Sequence, residues 1–288
     1  MKAVHIICDG GAHGLGHISR SITCANQLRK HGYLVSVSIL SQEGRKLFPS
    51  DCSSLSSLDQ ADIVIIDLPY SGDEWVEAGK QNGSRVLGLD YVGELSPDLV
   101  ISIHDRGTAP EITPACIGLE YAIIREDIVA RSPAIGGFGV VVMVGGADIA
   151  RLGEAAACKL TGFGQNVSLI EGPLTRSAKS SKGRSYNRYQ HPENVAELMA
   201  ECKWGVTNGG TTMLEMMCLG KACFVLPQTR QEARLAGLIM QQGALLGVGF
   251  EQLYVPTDEE IKSVSVRARE LVDGKGSERI IEAMELLL

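Results

Sequence analysis

Between Asp62 and Asp67 the chain reads Ile-Val-Ile-Ile, with no polar residue to face water on either side of a strand. Such a strand is stable only where both faces are covered, which parallel sheets achieve by carrying helices on both sides. The signature recurs. Ala3 to Asp9, Leu34 to Leu40, Ala61 to Leu68, Arg85 to Asp90 and Asp98 to Ile103 read as strands, with an amphipathic helix from Ile18 to His31 that stops at Gly32. A second series has strands at Gly139 to Val144, Val167 to Ile170, Trp204 to Thr207 and Ala222 to Leu226. Helical segments at Ile149 to Leu160, Pro192 to Cys202, Thr211 to Leu219 and Glu232 to Gln242 accompany them, and a last helix is expected from Asp258 to the end. This alternation predicts an α/β fold with parallel, doubly wound sheets.

Two series fit the length, since 288 residues at about 150 per domain suggest two domains. The Pro/Gly-rich stretch Arg131 to Gly137 reads as their linker, which sets the expected domains at 1–133 and 134–288, the last helix being able to pack back on the first. Ser177 to Arg188 is polar and basic and is expected to be an exposed loop. Ligands of open parallel sheets lie beyond the carboxyl ends of the strands. Two such sheets can face each other across a cleft.

Composition narrows the partners. Aromatic residues make up 5% of the chain, so the core must be aliphatic, and a net charge of −7 disfavours nucleic acid and anionic membranes. Any phosphate must therefore be held locally, by loops and helix ends. No run of 18 apolar residues is present, so no membrane insertion is expected. The opening Met1 to Ile6 reads as a strand rather than a signal peptide. The eight cysteines form no C-x-x-C pair and no cluster with zinc spacing, and are expected to be reduced. A cytoplasmic monomer without cofactor is the expectation, and the lack of a D-x-D carboxylate cluster predicts no metal site.

Three loops carry residues suited to chemistry. Gly10 to Arg20 follows the first strand and opens the first helix. Its glycines allow a ligand close to the backbone, and a helix N-terminus offers free N–H groups to an anion. The spacing departs from the G-x-G-x-x-G fingerprint because His17 interrupts it. A histidine at a helix start is disfavoured as a cation and suited to accept a proton; the alternative is a capping surface residue. For His13 the two readings are evenly balanced. Asn208-Gly209-Gly210-Thr211-Thr212 ends a strand and starts a helix, a combination that can cradle a diphosphate, and Glu215 lies one turn after Thr212, where a carboxylate can accept from ribose hydroxyls. The alternative there is a glycine turn with a threonine cap. Gly145-Gly146-Ala147-Asp148 is the counterpart of the first loop in the second series, and could equally be a turn alone.

In this order the three loops resemble the GT-B glycosyltransferase superfamily, whose fold is two Rossmann-like domains facing across a cleft. More closely the chain resembles the nucleotide-sugar hydrolases of pseudaminic acid biosynthesis, which act on UDP-2,4-diacetamido-2,4,6-trideoxy-β-L-altropyranose. The resemblance spans nearly the whole chain. It is carried by GLGHISR (Gly14 to Arg20), IIDLPY (Ile65 to Tyr70), RVLGLDY (Arg85 to Tyr91), EYAIIRED (Glu120 to Asp127), VMVGGAD (Val142 to Asp148), ENVAELMAE (Glu193 to Glu201) and Asn208 to Pro227. It implies that His17 is the catalytic base, helped by a site made of Gly14, Gly16, Arg20, Asp67, Tyr70 and Asp90. It further implies that Asn208, Gly209, Gly210, Thr211, Thr212 and Glu215 hold the nucleotide, with Gly145, Gly146 and Asp148 lining the same substrate site and Gln231 and Glu232 contributing to it. Two departures stand out. The family's Asp-His-Tyr reads Asp67-Leu68-Pro69-Tyr70 here, and its Asn-Gln reads Arg230-Gln231. The implied reaction is attack of water on the anomeric carbon of a UDP-sugar without a metal, with UDP and free sugar as products. A glycosyltransferase of the same fold and a non-catalytic nucleotide-sugar binder are the alternatives.

Overall fold

A computed structural model describes residues 2–10, 15–48, 58, 60–105, 107–110, 113–146, 148, 150–175 and 186–287. Gly14, His13, Ala147 and most of the Ser177 to Arg188 segment lie outside the described residues. The chain divides into two compact units, Met1–Ile123 with Lys275–Leu288, and Ile124–Gly274.

In the first unit the strands are β1 (Ala3–Cys8), β2 (Leu34–Ile39), β3 (Ile63–Asp67), β4 (Arg85–Leu89), β5 (Leu99–Ser102) and β6 (Ala115–Ile117). They form one sheet in the order β2-β1-β3-β4-β5-β6, parallel throughout. The helices α1 (Gly16–Lys30), α2 (Gln42–Leu47) and α3 (Asp73–Gln81) connect its strands. Every residue of β3 is buried, as its apolar sequence requires. α1 turns Ile18, Ser21, Cys24, Ala25 and Leu28 inward, at the three- and four-residue spacing of one helix face.

The second unit opens with the short helix α4 (Glu126–Val129) and contains β7 (Val140–Met143), α5 (Leu152–Gly162), β8 (Val167–Glu171), β9 (Asn187–Gln190), α6 (Val195–Glu201), β10 (Trp204–Thr207), α7 (Thr211–Leu219), β11 (Cys223–Val225), α8 (Arg230–Gln241), β12 (Gly247–Val248) and α9 (Asp258–Leu271). Its sheet runs β12-β11-β10-β7-β8-β9, again parallel. Helix α7 is buried at eight positions, Thr212 through Leu219. A helix buried almost all round belongs to the core.

Three sequence expectations change. The single last helix is two, α9 and α10 (Gly276–Glu285), parted at Gly274, whose φ of +86° favours glycine. α10 belongs to the first unit, where it packs on α1 and on the turn Leu119–Tyr121. Residues 124–133, which the sequence assigned to the first domain, pack with the second: Ser132 Oγ donates to the Cys218 carbonyl at 2.5 Å and the Ala134 N–H to the Leu219 carbonyl at 2.9 Å. Asn187 and Arg188, expected in a loop, begin strand β9. The seven described cysteines are all free thiols.

Candidate active site and its partner loops

In both sheets the strand order reverses at one place, and there the loops at the carboxyl ends separate and leave room for a ligand. In the first sheet that place is between β1 and β3, because α1 leads outward to β2 on one side while β3 starts the other side. The candidate residues gather at this point.

β3 ends on Asp67, which is fully buried. His17, in the first turn of α1, faces it: His17 Nδ1 lies 2.6 Å from Asp67 Oδ1. Arg20 Nη2 lies 3.1 Å from the same Nδ1; in the tautomer that donates from Nδ1 to the carboxylate, Nε2 presents its lone pair. Arg20 is one turn further along α1, on the same face. Its Nε donates to Asp67 Oδ2 at 2.9 Å, its Nη2 to Asp67 Oδ1 at 2.5 Å, and its Nη1 to Asp90 Oδ2 at 2.5 Å. Ser21 Oγ donates to Asp67 Oδ2 at 2.8 Å. Burial pushes Asp67 up, yet the neighbouring Arg20 and His17 together hold its carboxyl far below the usual range. Asp90, just past β4, adopts a left-handed φ of 49° and takes the Ile103 N–H on its other oxygen at 3.3 Å. Asp67 thus sits beneath His17, fixing the ring, while the His17 side chain retains 19% of its exposure.

Asp9, which the sequence reading passed over, follows β1 and gathers the adjacent loops. Its Oδ1 accepts the Gly10 N–H at 2.7 Å and the Ser41 N–H at 2.9 Å, and its Oδ2 accepts the Tyr70 hydroxyl. Burial raises Asp9, but these bonds outweigh it and hold the carboxyl below its ordinary value. Tyr70 is thereby placed at the β1 and β3 ends. Gly16 is the first residue of α1.

In the second sheet the order reverses between β7 and β10, and the two remaining glycine loops meet there. A Cβ on Gly145 would stand 3.0 Å from Asn208 Nδ2, as would one on Gly210, so the Asn208 amide is packed tightly between the two loops, and at Gly145 the φ of +73° also favours glycine. The amide is oriented by Glu232, whose Oε1 accepts Nδ2 at 2.6 Å and whose Oε2 accepts the Gln228 N–H at 2.6 Å. Gln228 Nε2 in turn donates to the Val144 carbonyl at 3.1 Å. Gly209, Gly210, Thr211 and Thr212 lead into α7. Glycine at position 210 supplies no capping side chain, so first-turn N–H groups of α7 remain for another acceptor.

Several predicted contacts have other occupations. Asp148 caps α5: Leu152 N–H reaches its Oδ1 and Gly153 N–H its Oδ2, each at 2.8 Å. The Glu232 carboxylate braces Asn208 and Gln228, while Gln231 is exposed. Glu215 is buried, and Arg125 Nε donates to its Oε1 at 2.7 Å. Burial raises the Glu215 carboxyl and Arg125 opposes that. Arg125 and Ser21 were not singled out in the sequence. Ser21 could have been found by its helix spacing, four residues after His17. Among the described residues no group of three or more His, Cys, Asp or Glu is arranged to hold a metal ion, and no helix is long and apolar enough to cross a membrane.

No family model matches the chain. The spore coat polysaccharide biosynthesis protein SpsG of Bacillus subtilis is 28% identical over 117 residues, which is 36% of this chain and 34% of that protein. Acinetobacter baumannii MurG is similar in structure, with a TM-score of 0.68 at 14% identity over 99% of each chain. The UDP-GlcNAc 2-epimerase of Neisseria meningitidis, solved with UDP-GlcNAc bound, gives a TM-score of 0.59 at 12% identity over 98% of this chain and 99% of that one. The fold is therefore α/β of the GT-B type, with two Rossmann-like doubly wound units.

Proposed function

We propose that the chain is a nucleotide-sugar hydrolase that splits the anomeric C1–O bond of a UDP-linked 2,4-diacetamido-2,4,6-trideoxyhexose, with His17 as general base. The observation that carries this is the His17–Asp67 contact at the reversal point of the first sheet. Asp67 accepts from Nδ1 and fixes both tautomer and ring orientation, so Nε2 is the nitrogen left to take a proton. A water held at Nε2 attacks C1 as its proton passes to the ring. The C1–O bond breaks and its electron pair leaves with UDP. The second unit holds the diphosphate on the α7 N-terminus, where N–H groups and the helix dipole stabilise the charge that develops, and Glu215 accepts from the ribose. The fold shared with an epimerase solved with UDP-GlcNAc supports a UDP-sugar. The match to a polysaccharide biosynthesis protein supports a sugar destined for a surface polymer. The released sugar is then free for conversion to a nonulosonic acid, and the chain acts as a cytoplasmic monomer.

Incubation of the enzyme with UDP-2,4-diacetamido-2,4,6-trideoxyhexose in ¹⁸O water, without an acceptor, tests the reading. Label should appear on the sugar C1 oxygen. Label on the UDP phosphate would mean attack at phosphorus and would end this assignment. A requirement for an added sugar or lipid acceptor would convert it to a glycosyltransferase.

A further inference from the structure

The segment Glu120 to Asp127 contains an arginine to which the proposed reaction gives no part. Arg125 immediately precedes α4, and α4 packs on α7, the helix that carries Glu215. Arg125 approaches the Glu215 carboxylate from the side, with Nε 2.7 Å from Oε1 and Nη2 3.4 Å from Oε2, while its Nη1 lies 3.4 Å from Asp127 Oδ2. We infer that Arg125 is the positioning residue for ribose recognition, holding Glu215 as an aimed carboxylate whose remaining lone pairs accept the two vicinal hydroxyls of the nucleotide. This rests on the reading of Glu215 as the ribose contact.

Three physical points support it. Glu215 is only 6% exposed, on a helix buried along almost its whole length. Without a cation beside it, a carboxyl in that place takes up a proton, and a carboxylic acid turns one of its oxygens into a donor. A vicinal diol needs acceptors on both oxygens. Second, a carboxylate offers about four lone-pair positions, and a two-pronged guanidinium occupies one on each oxygen. The pair left over, again one on each oxygen, matches two adjacent hydroxyls. Third, the planar fork fixes the carboxylate plane, which a lysine ammonium, as a point charge, does not.

The test compares UDP with 2′-deoxy-UDP by calorimetry in wild type, Arg125→Met, Arg125→Lys and Glu215→Gln. The ratio of the two affinities is read within each variant, so a uniform loss of folded protein cancels. Wild type should prefer UDP by about tenfold or more, as for a hydrogen bond to a charged group. Arg125→Met should bring the ratio close to one. Arg125→Lys, which keeps the charge and loses the fork, should lower it several-fold and decides the matter if the methionine variant does not fold. A full preference retained in either variant overturns the inference. Should wild type show no preference, the ribose reading of Glu215 falls first. Should Glu215→Gln lose the preference while both Arg125 variants keep it, only the role of Arg125 falls.

Discussion

The two sheets reverse order at equivalent places, yet they furnish those places with opposite chemistry. At the first, charged side chains converge: His17, Arg20, Asp67 and Asp90 are joined by hydrogen bonds between 2.5 and 2.9 Å. At the second, the backbone and neutral groups come forward, with Gly145, Gly209 and Gly210 around the Asn208 amide, and the nearby carboxylates of Asp148 and Glu232 are engaged in bracing the loops. An ordered network of charges suits proton transfer. A lining of glycine and helix N–H groups suits an anion that must come close and bear no competing negative charge. The contrast is the reason the proposed function gives the two halves separate roles, with one reacting and the other holding.

Replacing His17 breaks the contrast most severely. His17→Asn should lower kcat by about two to four orders of magnitude, since it removes only the base and the positioning of water. UDP affinity, a property assigned to the other unit, should stay within a factor of a few in calorimetry. A parallel fall in UDP affinity would show that the units do not divide the work.

Asp67→Asn is expected to act on the same cluster through stability as well as rate. It leaves Arg20 and His17 without their shared buried partner, and breaking a buried charge pair of this kind costs about 3–5 kcal/mol. A thermal melt should show the loss, and kcat should fall because the His17 tautomer is no longer fixed. A variant that melts like wild type but turns over slowly would make Asp67 a purely catalytic support. Unchanged turnover would remove it from the mechanism.

These two residues also mark what could be read in the sequence. The strands β1, β3 and β7 were legible because a segment apolar on both faces has few other places to go, and the glycine loops were legible because they end such strands. Three of the four sheet edges, β6, β9 and β12, were not. β9 reads Asn-Arg-Tyr-Gln, with polar ends that look like a loop, and β6 and β12 have three and two residues. An edge strand is held on one side only and needs less apolar sequence to stay in place. Side-chain pairs were the least accessible. His17 and Asp67 are 50 positions apart and Arg125 and Glu215 are 90 apart, so His17, Asp67 and Glu215 could be named singly while the bonds between them, and Arg125 itself, waited for the fold.

Acid should separate the units further. His5, buried in β1, has Nδ1 2.7 Å from Ser36 Oγ, and its Nε2 is buried with no hydrogen-bond partner among the described residues. Burial lowers it from 6.5 to about 4. The folded state therefore keeps His5 neutral while the unfolded chain protonates, so its contribution is fully present above about pH 6.5 and is lost as pH falls toward 4. The interval bounds the loss at about 3 kcal/mol. Hydrogen exchange over pH 7 to 5 should show protection falling in β1 and β2 ahead of β7 and β10. Equal losses in both sheets would count against His5 as the source.

The smallest effect is the most discriminating for the second unit. Asp148 has the sequence position of a ligand contact and the structural position of a helix cap, taking the Leu152 and Gly153 N–H groups at 2.8 Å each. A carboxylate there already occupies the start of α5, so a phosphate would meet negative charge instead of free N–H groups. Under the proposed function the anion is therefore assigned to the start of α7, preceded by Gly210, and not to that of α5. Asp148→Ala should then cost about 1 kcal/mol of stability, the usual worth of an N-cap, visible as a Tm lowered by a few degrees. UDP affinity and kcat should be unchanged. A drop in UDP affinity of tenfold or more, at a Tm close to wild type, would reverse the assignment: Asp148 would belong to the ligand, and the second unit would bind its nucleotide with a charged side chain as well as with its backbone.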